Sequence, residues 1–244
     1  MLKMRDIIGN INRRVDKLLR RILHNNKPKI FCISLQRTGT TSTGRFFKDH
    51  GYSVATYEVS KKNLWTTHYF KGDYEYIFSS KDFINLEVFE DDPWWLGNFY
   101  KVLYHRFPHS KFILLERDAD KWFDSMMSHS HGMVLGNTHI HCSQYQRLDE
   151  FYQVFDHEYE NFYTDVIDNA LSLDEKHREH YTKFYKLRNK EVKLFFNYHD
   201  GRRLFTAHLE DDALWQKMGE FFDIDVRAGY NIHANKSKRI EDIG

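Results

Sequence analysis

The chain has 244 residues, with 36 Lys and Arg against 35 Asp and Glu and a formal net charge of +1. That balance provides no global field for holding a polyanion, so nucleic acid is not an expected partner. Two cysteines are too few for a disulfide framework and no apolar run reaches bilayer length, which suits an α/β domain in a reducing, cytoplasmic setting.

Residues 1–28 stand apart from the domain expected over 29–244. Ile8, Ile11, Val15, Leu18 and Ile22 recur at helical spacing, among Arg13, Arg14, Lys17, Arg20 and Arg21. This basic amphipathic helix is expected to pack on the domain or to pair with a second copy. The sharper reading is peripheral contact with a membrane, but no Trp or Phe marks an interfacial anchor.

After Lys27-Pro28 the pattern alternates. Strands are predicted near 30–35, 52–57, 84–89, 111–116 and 203–208. Helices are predicted near 41–50, 95–106, 119–128, 147–170, 175–197 and 213–222. Strands separated by helices imply a single three-layer α/β domain, its central parallel sheet flanked by helices.

The first strand runs into Ser34-Leu35-Gln36-Arg37-Thr38-Gly39-Thr40-Thr41-Ser42. A strand, a short polar loop and a helix start form a cradle for phosphate, because free N–H groups and the helix dipole favour an anion. In the ATP-binding frame G-x-x-x-x-G-K-[S/T], Ser34 takes the first Gly, Gly39 the second and Thr41 the hydroxyl position. Thr40 stands where the lysine belongs. An ATP-dependent small-molecule kinase therefore remains a rival reading, and the loop's own cation is Arg37.

A second strand enters a helix through Glu116-Arg117-Asp118-Ala119-Asp120-Lys121-Trp122-Phe123-Asp124-Ser125. Arg117 leaves the strand end and Ser125 lies about two turns into the helix. Both can meet one phosphate, the first as a charged donor and the second as a hydroxyl. Between the two motifs, Asn85-Leu86-Glu87-Val88-Phe89 ends in Glu90-Asp91-Asp92-Pro93. A carboxylate there can act as a base if burial beside Trp94 or Trp95 raises its pKa. The plainer role for Asp91 or Asp92 is to cap a helix starting near Pro93.

Arg37-Thr38-Gly39-Thr40-Thr41 resembles the 5′-phosphosulfate loop of the PAPS-dependent sulfotransferases, usually Pro-Lys-(Ser/Thr)-Gly-Thr-Thr, with Gln36 for Pro and Arg37 for Lys. The second motif resembles the family's 3′-phosphate element, Arg-Asp-Pro-x-x-x-Trp-x-x-Ser, with Ala119 for Pro. The resemblance extends loosely from Ile30 to about Lys238. It implies a P-loop NTPase-like fold, and PAPS (3′-phosphoadenosine 5′-phosphosulfate) as co-substrate held by Arg37, Thr38, Gly39, Thr40, Thr41, Ser42, Arg117 and Ser125. A late basic loop adds Lys236 and Lys238. Arg37 is also expected to be catalytic, with Asp91, two residues before Pro93, as the base. Glu90, Asp92, Glu87 and His68 stand behind it. Ser42 replaces the Trp that one branch stacks on adenine. No metal is implied, and the acceptor is expected to be a small molecule or glycan hydroxyl. A PAP-binding scaffold without activity is the non-enzymatic rival.

His129, His131, His139, His141 and Cys142 crowd one stretch, but their spacing matches no standard zinc signature. The Tyr- and Phe-rich run from 143 to 200 is mostly expected to be core, with part of it roofing the acceptor.

Overall fold

The computed structural model describes residues 28–128, 139–154 and 173–232. Its sheet has five strands, β1 (Ile30–Cys32), β2 (Val54–Ala55), β3 (Val88–Phe89), β4 (Lys111–Glu116) and β5 (Leu204–His208). The order is β2-β3-β1-β4-β5, and every pairing is parallel. The chain thus leaves β1 for one edge, returns to β3, then crosses β1 to β4. A crevice opens where the order reverses, at the carboxyl ends of β1, β3 and β4.

Side chains alternate across the sheet, and both faces are covered, so the strands read as apolar runs. Phe31, Ile33, Phe89, Phe112 and Leu114 face one layer. That layer includes α2 (Tyr57–Lys62), α3 (Trp65–Phe70), α4 (Tyr74–Ser79), α5 (Lys81–Asn85) and α6 (Phe99–Arg106). Ile30, Cys32, Val88, Ile113 and Leu115 face the other, packing on Phe46 and Phe47 of α1 (Thr40–Asp49). Three further helices, α7 (Ala119–Met127), α8 (His139–Gln144) and α9 (Leu148–Val154), follow β4. The long α10 (Arg178–Tyr198) adds Val192 and Phe196 to the first face, and α11 (Leu214–Phe222) adds Trp215, Met218 and Phe222 to the second.

The expected α/β fold with a parallel sheet is the one observed. Its details differ between 52 and 98. The strand expected over 52–57 is two residues long, because Tyr57 opens α2. The strand expected over 84–89 starts only at Val88, because Ser80 caps α5 by accepting the Phe83 N–H. Asp73 likewise accepts the Tyr76 N–H at the start of α4. The helix expected from 95 starts at Phe99, since Pro93 to Leu96 form a buried turn in which Leu96 N–H bonds Pro93 C=O. The helix expected over 175–197 is a 3-10 turn, Glu175–His177, leading into α10.

Residues 1–27, Lys236 and Lys238 lie outside the described residues, as does 155–170 of the helix expected over 147–170. Among the described residues no helix is long and apolar enough to cross a membrane.

Candidate active site

The phosphate-type loop begins where β1 and β4 part. The last ladder bond runs from Ile33 N–H to Ile113 C=O at 2.9 Å. Ser34 then replaces the ladder: its hydroxyl accepts the Leu115 N–H at 2.7 Å and donates to Ile113 C=O at 3.3 Å. The hydroxyl thus gives the Leu115 N–H an acceptor where the strands part and gives Ile113 C=O a second donor. The loop closes on itself through the Thr38 hydroxyl, which donates to Leu35 C=O. Gly39 sits at φ +91° as the N-cap of α1, a conformation that glycine adopts without strain. The first turn of α1 carries no acid. Thr41 is exposed there, while Thr40 and Ser42 are largely buried. A helix N-terminus without an acid in its first turn favours an anion.

The second motif meets this loop. Arg37, itself at φ +66°, donates through Nε to Ser125 Oγ at 3.0 Å and to Ser125 C=O at 3.2 Å. Arg117 donates through Nη1 to Arg37 C=O at 3.3 Å, and its buried Nε finds no partner among the described residues. Glu210 approaches Arg117 Nη2 only to 3.9 Å and also takes Lys121. Trp122 Nε1 donates to Gln36 C=O at 3.0 Å, clamping α7 to the loop, and the Tyr185 hydroxyl accepts the Arg117 N–H at 2.9 Å. Burial, then the nearby Arg117 charge, pulls the Arg37 pKa down. Two guanidiniums and a hydroxyl are thus gathered with little counter-charge. An oxyanion ligand supplies what this arrangement lacks.

The acids after β3 sit at the same end of the sheet, since Phe89 is in register with Phe31 of β1. Asp91 and Asp92 cap no helix. Asp91 Oδ1 accepts the Asp92 N–H at 2.8 Å, and Asp92 accepts from the Thr66 hydroxyl. Burial, and next the Asp92 charge, holds the Asp91 carboxyl well above the usual carboxylate range. Burial also pushes Glu90 up to about 8. Glu90 packs against α1 at Gly44, where an added Cβ would lie 1.8 Å from Glu90 Oε2.

The two other base candidates lie elsewhere. Glu87 precedes β3, at the amino end of the strand and away from the loop, where it accepts from Ser53 N–H and Oγ at 3.1 and 2.9 Å. His68 stacks on Tyr76 with ring centres 3.5 Å apart and meets Asp73 at 3.1 Å. Both are occupied in holding local structure.

Of the histidine stretch, His129 and His131 lie outside the described residues. His139 bonds the Tyr152 hydroxyl at 3.0 Å, and His141 lies parallel to Trp95 with ring centres 6.5 Å apart. Among the described residues no three His, Cys, Asp or Glu side chains gather as a metal site.

Sequence reasoning missed two contributors on α10. Tyr185, which positions the Arg117 backbone, was read only as part of an aromatic run. Arg188 falls in the same buried stripe as Tyr181, Tyr185, Val192 and Phe196, and that spacing was its signal.

A parallel α/β sheet whose switch-point loop joins two arginines and a serine forms a site suited to an oxyanion ligand. Residues 29–240 match the family described as the sulfotransferase domain, and the chain belongs to that family. Its general chemistry is therefore transfer of a sulfuryl group. Comparison with curated proteins gave no match.

Proposed function

We propose that this chain moves a sulfuryl group from PAPS to a hydroxyl of a small-molecule or glycan acceptor, leaving PAP. The observation that carries this reading is the convergence of Arg37, Arg117 and Ser125 beside the N-terminus of α1. The buried Arg117 Nε, without a partner among the described residues, suits an oxyanion of the nucleotide. PAPS, when bound, supplies the sulfuryl group and a phosphate leaving group. Arg37 and the N–H groups from Thr38 to Ser42 hold its 5′ end, and Arg117 and Ser125 its 3′-phosphate. Arg37 places positive charge where the departing oxygen gains negative charge. Asp91, beside the loop and with a raised pKa, accepts the acceptor proton. A kinase reading lacks its lysine, since Thr40 holds that position.

Labelled PAPS and a panel of hydroxyl acceptors test the proposal. Transfer of label is expected in the wild type, and Asp91→Asn is expected to abolish turnover while keeping PAP affinity. PAP binding without transfer to any acceptor would instead favour the scaffold reading.

A further inference from the structure

A groove of 440 Å³ lies between α3, the turn at 96–98, α8 and α10. That volume suits a small ligand or one or two sugar rings. Phe70, Leu96 and Phe184 form its apolar walls, and Gln144, Lys183 and Arg188 contribute polar groups. Leu96 of this groove packs in the same buried cluster as Leu35 of the phosphate-type loop and Trp122 of α7, so the groove lies on the loop's side of the molecule.

Arg188 is the unusual member. It is 5 % exposed, and among the described residues its one hydrogen bond runs from Nη2 to Trp95 C=O at 3.2 Å. Nε and Nη1 find no partner among the described residues. No carboxylate pairs with it there; its guanidinium lies 5.9 Å from the centre of the Tyr100 ring. Gln144 is half used in the same way: Oε1 accepts the Gly97 N–H at 2.7 Å, while Nε2 finds no partner among the described residues. The other charges on the groove are accounted for differently. Glu191 is exposed, Lys183 pairs with Glu179 at 2.5 Å, and His180 bonds Tyr145 C=O at 2.7 Å.

A buried guanidinium without a counter-ion is costly to keep, and an apolar side chain at that place in the α10 stripe would pack without the penalty. Its planar fork is suited to a carboxylate, sulfate ester or phosphate ester. Resting on the sulfotransferase reading, we propose that the acceptor carries an oxyanion beside the hydroxyl it presents, and that Arg188, with Gln144 Nε2, recognises it. Burial also lowers the Arg188 pKa to about 10, and an oxyanion in contact with it reverses that shift.

The test uses the full chain and reads Arg188 directly. Its Nε–H NMR signal is assigned by its loss in Arg188→Lys, or in Arg188→Met if the Lys variant does not fold. Acetate is titrated as the oxyanion probe and acetamide as its neutral counterpart. A saturable shift with acetate and none with acetamide is expected. A signal that ignores acetate, or follows both probes alike, overturns the proposal. In transfer assays, a uronic acid glycoside should be preferred over the matching neutral sugar by about tenfold or more. Arg188→Met should raise the KM for the uronide and leave the KM for PAPS unchanged, and a preference surviving in that variant contradicts the assignment. A separate PAP titration keeps the readings apart: absent PAP binding defeats the donor site, whereas a static Arg188 signal defeats this inference alone.

Discussion

Arg117 and Asp91 carry opposite electrostatic problems. Arg117 lies near a second guanidinium with one buried nitrogen unpartnered, and Asp91 lies beside a second carboxyl in a largely dry site. A phosphate relieves the first. Arg117→Ala should therefore weaken PAP binding by about 1.5–3 kcal/mol, the worth of a charged hydrogen bond. Its melting temperature should change little, because the lost repulsion with Arg37 offsets the lost hydrogen bond to Arg37 C=O. Calorimetric titration and a thermal scan read the two effects, and unchanged PAP affinity would remove Arg117 from the site. For Asp91, the base must be ionised to act. Turnover should fall on the acid side at a pH well above the usual carboxylate range. Asp92→Asn removes a neighbouring negative charge, which lowers the Asp91 pKa and moves that limb to lower pH. A pH–rate profile whose acid limb stays in place would show that Asp92 does not act on the base.

Helix α1 shows how closely the elements must approach. Glu90, just past β3, leaves no room for a side chain at Gly44. Gly44→Ala should cost about 1–3 kcal/mol through overpacking, despite the better helix propensity of Ala. Urea unfolding measures this, and a stabilised variant would show that Glu90 can move aside. The two motifs at strand–helix junctions were legible in the sequence because each couples an apolar run to a polar loop and a helix start. The segment from Tyr57 to Asn85 was not. Its four helices have 5 or 6 residues each, too short for a periodicity to emerge. Only the caps Asp73 and Ser80 announced two of them. The Pro93–Leu96 turn was read as helix because its Trp94, Trp95 and Leu96 are all apolar. Arg188 escaped notice because a charged side chain is ordinarily a surface residue.

Across the whole molecule, the parallel sheet gathers the loop after β1 and the acids after β3 at the carboxyl ends of its strands. Burying acids there has a consequence for stability. Glu90 has a folded pKa of about 8 against an ordinary 4.5, so between these values the native chain holds a proton that the unfolded chain releases. Stability from this group is full below 4.5 and is lost as pH rises through about 8. Asp91 acts in the same direction, while burial lowers the His139 pKa and acts in the opposite one. Comparing wild type with Glu90→Gln isolates the effect. The wild type should lose on the order of a few kcal/mol relative to the variant across that window. Parallel curves from urea unfolding would mean that Glu90 is not held protonated.

The central claim is that the switch-point loop holds PAPS rather than ATP. Calorimetric titration of the full chain with PAP, and separately with ATP and Mg²⁺, tests it most directly. Tight binding of PAP without metal, and negligible binding of Mg-ATP, is the predicted result. Binding of Mg-ATP with no binding of PAP would contradict the account.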